Sequence, residues 1–99
     1  MDVQISVEYF GLIRQHVPDA SESVSLAEGG TVRELFERLA ERHGETLRVE
    51  LLAPLGEPLP NVVLTVDGHR IADRSGMERA VRGGGVVRVL QLPPFIGGG

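Results

Sequence analysis

Apolar and polar residues alternate along the first stretch of the chain. Val3, Ile5, Val7 and Tyr9 share one parity, and Gln4, Ser6 and Glu8 share the other. A period of two predicts a half-buried strand over residues 3–9. Phe10 sits on the polar parity and breaks the alternation. Gly11 to Pro18 read as a turn with short irregular structure, and Pro18-Asp19-Ala20-Ser21 as a loop. Ser23-Val24-Ser25-Leu26 predicts a second short strand, forming a hairpin with the first over a long connection. After the Glu28-Gly29-Gly30 break the period changes. Val32, Leu35, Phe36 and Leu39 recur at i, i+3, i+4 and i+7, the apolar stripe of an amphipathic helix. Thr31 with Glu34 three residues on makes a capping-box start, and Gly44 after His43 marks the end. Glu37, Arg38, Glu41 and Arg42 lie toward the solvated side.

In residues 45–60, Leu47, Val49, Leu51, Leu52 and Leu55 are interrupted by Pro54, Pro58 and Pro60. This stretch reads as a loop with a short helical turn, partly packed on the body. Asn61 to Val66 is the strongest strand pattern in the chain. Asp67-Gly68 marks a tight turn, and Arg70-Ile71 begins the return strand. Residues 74–81 carry little pattern, and Arg82-Gly83-Gly84-Gly85 reads as a turn. Val86 to Leu92 is nearly all apolar, as a central strand of a sheet is. One helical stripe covers one face of such a sheet and leaves the other partly open. A last strand beside the first runs parallel to it.

The chain closes on Leu92-Pro93-Pro94-Phe95-Ile96-Gly97-Gly98-Gly99. A Pro-Pro pair donates nothing to a ladder and holds the backbone extended. Glycine lets another protein close around the backbone. The pattern is a stiff exit followed by a thin, threadable tip; a frayed terminus is the ordinary alternative.

At 99 residues, this is one domain by size. A deep enclosed active site does not fit a core this small. With 41% hydrophobic and 24% charged residues, the composition is that of a folded globular domain and too apolar for disorder. No apolar run is long enough for a transmembrane helix, and the start lacks the pattern of a signal peptide, so a cytoplasmic location is expected. No cysteine is present, which excludes disulfides, a cysteine nucleophile and cysteine-ligated metal. A net charge of −4 argues against nucleic acid as the main partner. All ten basic residues are arginine, so no side-chain amine is available for acylation. His16, His43 and His69 have no metal-ligand spacing and read as structural or solvent-facing. Gly83-Gly84-Gly85 lacks the lysine and the following helix of a phosphate-binding loop. No cluster in the chain reads as a catalytic or metal site of its own.

Three blocks together resemble the MoaD/ThiS family of ubiquitin-like sulfur carriers. They are the opening strand with Phe10-Gly11-Leu12-Ile13-Arg14, the run Gly30-Thr31-Val32-Arg33-Glu34-Leu35-Phe36 into the helix, and the strand, Asp67-Gly68 turn and final strand that close on Leu92 to Gly98. The tail looks more like the MoaD branch, the molybdopterin synthase small subunit. The third glycine, the Arg82–Gly85 turn in place of an acidic one, and the long 45–60 segment depart from the family pattern. They bear on which partner is served rather than on the fold.

The resemblance implies an α+β fold of the β-grasp, ubiquitin-like type. A mixed sheet carries one main helix on one face, and a flexible C-terminal glycine tail follows. It implies a β-grasp domain over residues 1–92 and an extended tail over 93–99. It implies that the chain is a carrier or non-catalytic small subunit and not an enzyme. It implies that an ATP-dependent, ubiquitin-activating-type enzyme adenylates the carboxylate of Gly99, or of Gly98 if the chain is trimmed. Sulfur from a persulfide then leaves a thiocarboxylate. Gly97 and Gly98 form the threadable tail. The expectation is that the chain binds no cofactor and that ATP belongs to the activating partner. The acceptor is a molybdopterin synthase large subunit or another sulfur-acceptor enzyme, with no nucleic acid and no membrane involved. Phe10, Leu12, Leu92, Pro94, Phe95 and Ile96 are the candidate partner-binding residues, with Phe10 and Leu12 equally consistent with this domain's own core. Three other readings stay open. One is a protein modifier conjugated through the same glycine, another a sulfur donor to thiazole or other metabolites, and the third an interaction module whose tail is passive.

Overall fold

The N-terminal alternation forms β1 (Asp2–Gly11), and the serine-rich stretch after it forms β2 (Ser21–Ala27). The computed structural model of the chain describes residues 1–94. β1 and β2 pair antiparallel, with Val7 opposite Glu22 and Ile5 opposite Val24. The helix α1 (Val32–His43) follows, then α2 (Glu45–Leu51), β3 (Val62–Val66), β4 (His69–Ile71), α3 (Arg74–Met77) and β5 (Val86–Gln91). The strands form one sheet in the order β2-β1-β5-β3-β4. β5 lies between β1, to which it is parallel, and β3, to which it is antiparallel. Its central place accounts for its apolar sequence.

Packing follows the two periods. Ile5, Val7 and Tyr9 of β1, with Val87 and Val89 of β5, are at most 1% exposed and form the floor of the core. Val32, Leu35, Phe36 and Leu39 of α1 are equally buried. Each such side chain removed from water contributes about 1.5–3 kcal/mol. The helix starts where the capping box places it: Thr31 Oγ1 accepts from the Glu34 N–H at 3.2 Å. It stops at Gly44, whose φ of 101° suits glycine and turns the chain into α2.

Three segments are more ordered than their sequence pattern indicates. Residues 45–60, expected to be a loop with a helical turn, begin with the seven-residue helix α2, which buries Leu47 and Leu51. Only that i, i+4 pair carries its stripe, too short for periodicity to register before the prolines. Leu12–His16 of the expected irregular turn forms a 3-10 helix that buries Ile13. The unpatterned stretch after residue 73 holds α3, capped by Asp73 Oδ1, which accepts from the Gly76 N–H at 2.8 Å. That cap holds the Asp73 carboxyl below the usual range, with the Ser75 hydroxyl assisting.

β2 is tied to the end of α1 through a polar junction. Glu22 accepts from the Tyr9 hydroxyl at 2.5 Å and from Arg42 at 2.7 Å, and lies 2.6 Å from His43 Nε2. Burial alone pushes the Glu22 carboxyl up. Hydrogen bonds from Tyr9, Arg42 and His43 outweigh that and hold it below its ordinary value. Burial, then the hydrogen bond to Glu22, pushes the Tyr9 phenol far up, so it stays a donor. His43 thus has a structural partner, and its ring meets Tyr9 edge-on at 6.4 Å.

Candidate functional site

Because β1 alternates, the face opposite the helices carries Gln4, Ser6, Glu8 and Phe10. The register sets Glu8 beside Arg88 and Phe10 beside Leu90 on β5, and Arg88 and Leu90 beside Thr65 and Val63 on β3. Two zones result. One is polar, with Arg88 Nε donating to Glu8 Oε1 at 2.8 Å. The other is apolar and built from Phe10, Leu90 and Val63, with Leu92 continuing the parity of Arg88 and Leu90. Phe10 and Leu92 are each 45% exposed, while Leu90 and Val63 are partly buried between them. Leu12 is partly buried at the start of the 3-10 helix, where Ile13 is the core residue. Pro94 is exposed.

This zone lies where the chain leaves the body. Leu92 N–H donates to the Asn61 carbonyl at 2.8 Å, and Asn61 Nδ2 donates back to the Leu92 carbonyl at 2.8 Å. The side chain thereby extends the β3–β5 ladder one rung past β5. Pro60, Asn61, Leu92, Pro93 and Pro94 line an apolar groove of about 380 Å³ at this root. Gln91, 5% exposed, donates through Nε2 to the Glu50 carbonyl at 3.2 Å and to Glu50 Oε2 at 3.0 Å. On its other side Gly11 has φ 80° and ψ −147°, a region open essentially to glycine alone. A Cβ at Gly11 would stand 2.2 Å from the Gln91 carbonyl oxygen.

Of the sequence-derived candidates, the structure brings Phe10, Leu92 and Pro94 to one end of the open face and sets Leu12 beside it, half-buried. Phe95, Ile96, Gly97, Gly98 and Gly99 lie outside the described residues. Sequence reasoning passed over Leu90, Val63, Asn61 and Gln91. The signal for Leu90 was Arg88. A charged residue inside an apolar strand marks the open parity, and residues 90 and 92 share it. Among the described residues there is no group of three His, Asp or Glu side chains suited to a metal, and no helix long and apolar enough to cross a membrane.

A two-stranded parallel centre flanked by hairpins, with one main helix on one face and the chain leaving beside an apolar patch, defines the β-grasp, ubiquitin-like class. The ThiS family model matches residues 7–99, and the chain belongs to that family of ubiquitin-like sulfur carriers. A Pyrococcus furiosus protein assigned as molybdopterin converting factor, subunit 1, superposes with a TM-score of 0.72 at 29% identity, over 90% of this chain and 97% of that one. A chain of the Amycolatopsis orientalis BexX/CysO complex shares the fold with a TM-score of 0.71 at 22% identity, covering 95% and 99% of the two chains. SAMP1 from Haloferax volcanii shares it with a TM-score of 0.73 at 18% identity, covering 96% and 99%. No curated protein sequence matches significantly.

Proposed function

We propose that this protein is a sulfur carrier whose C-terminal glycine is converted to a thiocarboxylate, with molybdopterin synthesis as the receiving pathway. Gly99 is the reacting residue, or Gly98 after trimming. A carboxylate oxygen attacks the α-phosphorus of ATP held by an adenylating partner, and pyrophosphate leaves. The terminal sulfur of a persulfide then attacks the acyl carbon, and AMP leaves. A thiol cleaves the resulting acyl disulfide and is itself oxidised to a disulfide, leaving the thiocarboxylate. The catalytic groups belong to the partners. This chain contributes a domain over residues 1–92 that docks and a tail over 93–99 that reaches.

The observation that carries this reading is the family match running through the glycine tail, on a body whose apolar patch of Phe10, Leu90, Val63 and Leu92 borders the tail root. An exposed apolar cluster of this kind is suited to a partner's anchor site. Resemblance to the Pyrococcus protein favours molybdopterin synthesis as the destination. A lysine-free composition is also compatible with a protein modifier that forms no chains on its own side chains. The two readings differ in what captures the activated carboxylate, sulfide or an amine.

The test is the intact mass of the chain after co-expression with the adenylating enzyme of its own genome and a sulfur source. The expected result is an oxygen-to-sulfur shift localised to the terminal glycine. An amide adduct to other proteins supports the modifier instead. A chain that stays unmodified with ATP and enzyme supplied removes both.

A further inference from the structure

We infer that Asn61 and Gln91 are positioning residues for the reacting carboxylate, an inference that rests on the sulfur-carrier reading. They clamp the tail root from two sides. Asn61 holds Leu92 through a backbone and a side-chain hydrogen bond, both 2.8 Å. Gln91 pins the last residue of β5 to α2 through Glu50, and Glu50 Oε1 in turn lies 3.7 Å from His16 Nε2 of the 3-10 helix. Gly11 lets β1 press against the Gln91 carbonyl, where any side chain would collide with it.

Gln91 is a poor choice for stability alone. Its Oε1 is buried with no hydrogen-bond partner among the described residues, and such an orphan acceptor is destabilising. Turning the amide over would set that oxygen against the Glu50 carbonyl and carboxylate, so the observed orientation is the better of two incomplete ones. Methionine fills a similar volume without a buried acceptor of its own, at the loss of the donor to Glu50. What glutamine supplies instead is a fixed link between the end of β5 and α2. Pro93 and Pro94 then continue the exit stiffly. Five residues follow Pro94, and a fully extended chain of that length spans at most roughly 17 Å. Peeling Gln91 and Leu92 from the body lengthens that span and widens the volume the carboxylate explores. A misplacement of about 1 Å at a reacting group can cost about a hundredfold in rate.

Two variants of the full chain separate positioning from packing. Asn61→Asp keeps the shape and the backbone bond but puts a carboxylate, which cannot donate, against the Leu92 carbonyl. Gln91→Met removes both the pin and the buried acceptor while keeping the side chain's volume. Each is assayed by ATP–pyrophosphate exchange with the adenylating enzyme of the same genome. The expected result is a fall in kcat of about tenfold with KM within about twofold, because docking is intact while the carboxylate is spread. Unchanged kcat in both variants, or a loss carried wholly by KM, overturns the inference. In parallel, 15N relaxation of the Leu92 amide, which needs no enzyme, should drop from an order parameter of about 0.85 to below about 0.6. An unmoved Leu92 amide in both variants overturns the clamp, whatever the enzyme does. A wild-type chain that supports no exchange refutes the carrier reading, and the relaxation measurement then decides the clamp by itself.

Discussion

Tyr9 and Phe10 are neighbours in sequence and opposites in environment: Tyr9 is 1% exposed and Phe10 is 45% exposed. They stand for the two faces of one sheet. The covered face is packed from β1, β5 and α1 and closed by the Glu22 junction. The open face is polar around Glu8 and Arg88 and apolar around Phe10, Leu90 and Leu92. The difference teaches that a period of two divides labour residue by residue. Stability is invested on one parity, and a surface for other molecules is left on the next. A domain of this size fills only one side of its sheet and can leave the other for recognition.

The comparison breaks most sharply on the covered face. Phe36→Ala empties a fully buried site and should cost about 3–5 kcal/mol, read from chemical denaturation midpoints. A loss below about 1 kcal/mol would mean that the core there can collapse around the gap. Next is the seam between the faces. Gly11→Ala forces a side chain into glycine-only backbone and against the Gln91 carbonyl. It should cost about 2–3 kcal/mol and loosen Leu92, seen as faster hydrogen exchange of its amide. Normal exchange at Leu92 would remove Gly11 from the support of the tail root.

The Glu22 junction comes third. Glu22→Gln removes the charge that Arg42 faces and should cost about 1–3 kcal/mol near neutral pH. The carboxyl is depressed in the folded state, so its contribution is fully present above its unfolded value and disappears as pH falls through the folded one. The wild type should therefore lose stability on acidification faster than Glu22→Gln, and parallel curves would show the junction to be electrostatically idle. The smallest effect on stability belongs to the open face. Phe10→Ser should change it by less than about 1 kcal/mol, yet weaken capture by the proposed adenylating partner about tenfold or more, measured by titration calorimetry. Unchanged binding would move the docking surface away from this patch.

Much of the covered face was legible in the sequence. The alternation of β1, the stripe of α1 with its Thr31–Glu34 cap, and the Asp67-Gly68 turn are local devices that act over a few residues, and they appear where the pattern puts them. The short helices were not legible, because α2 is held by two leucines and α3 by one aspartate cap. On the candidate site, Phe10 could be singled out as an apolar residue on the polar parity, and Leu92 by its place beside the tail. Leu90 was marked only by the parity of Arg88, and Val63 was not marked at all, because only the pairing of β3 with β5 sets it beside Leu90.

The sequence by itself therefore determined the strands and the main helix, and which parity of β1 and which stripe of α1 are apolar. The apolar run of β5 called for a central place, and tertiary structure decided that its neighbours there are β1 and β3. That single placement brings Phe10, Leu90 and Val63 together, sets Glu8 against Arg88, and clamps Leu92 and Gln91 with Asn61 and Glu50. The physical reason is range. Periodicity and caps are set by neighbours a few residues apart, whereas strand order and register are set by which pairing buries the whole apolar set at once, across separations of up to 80 residues.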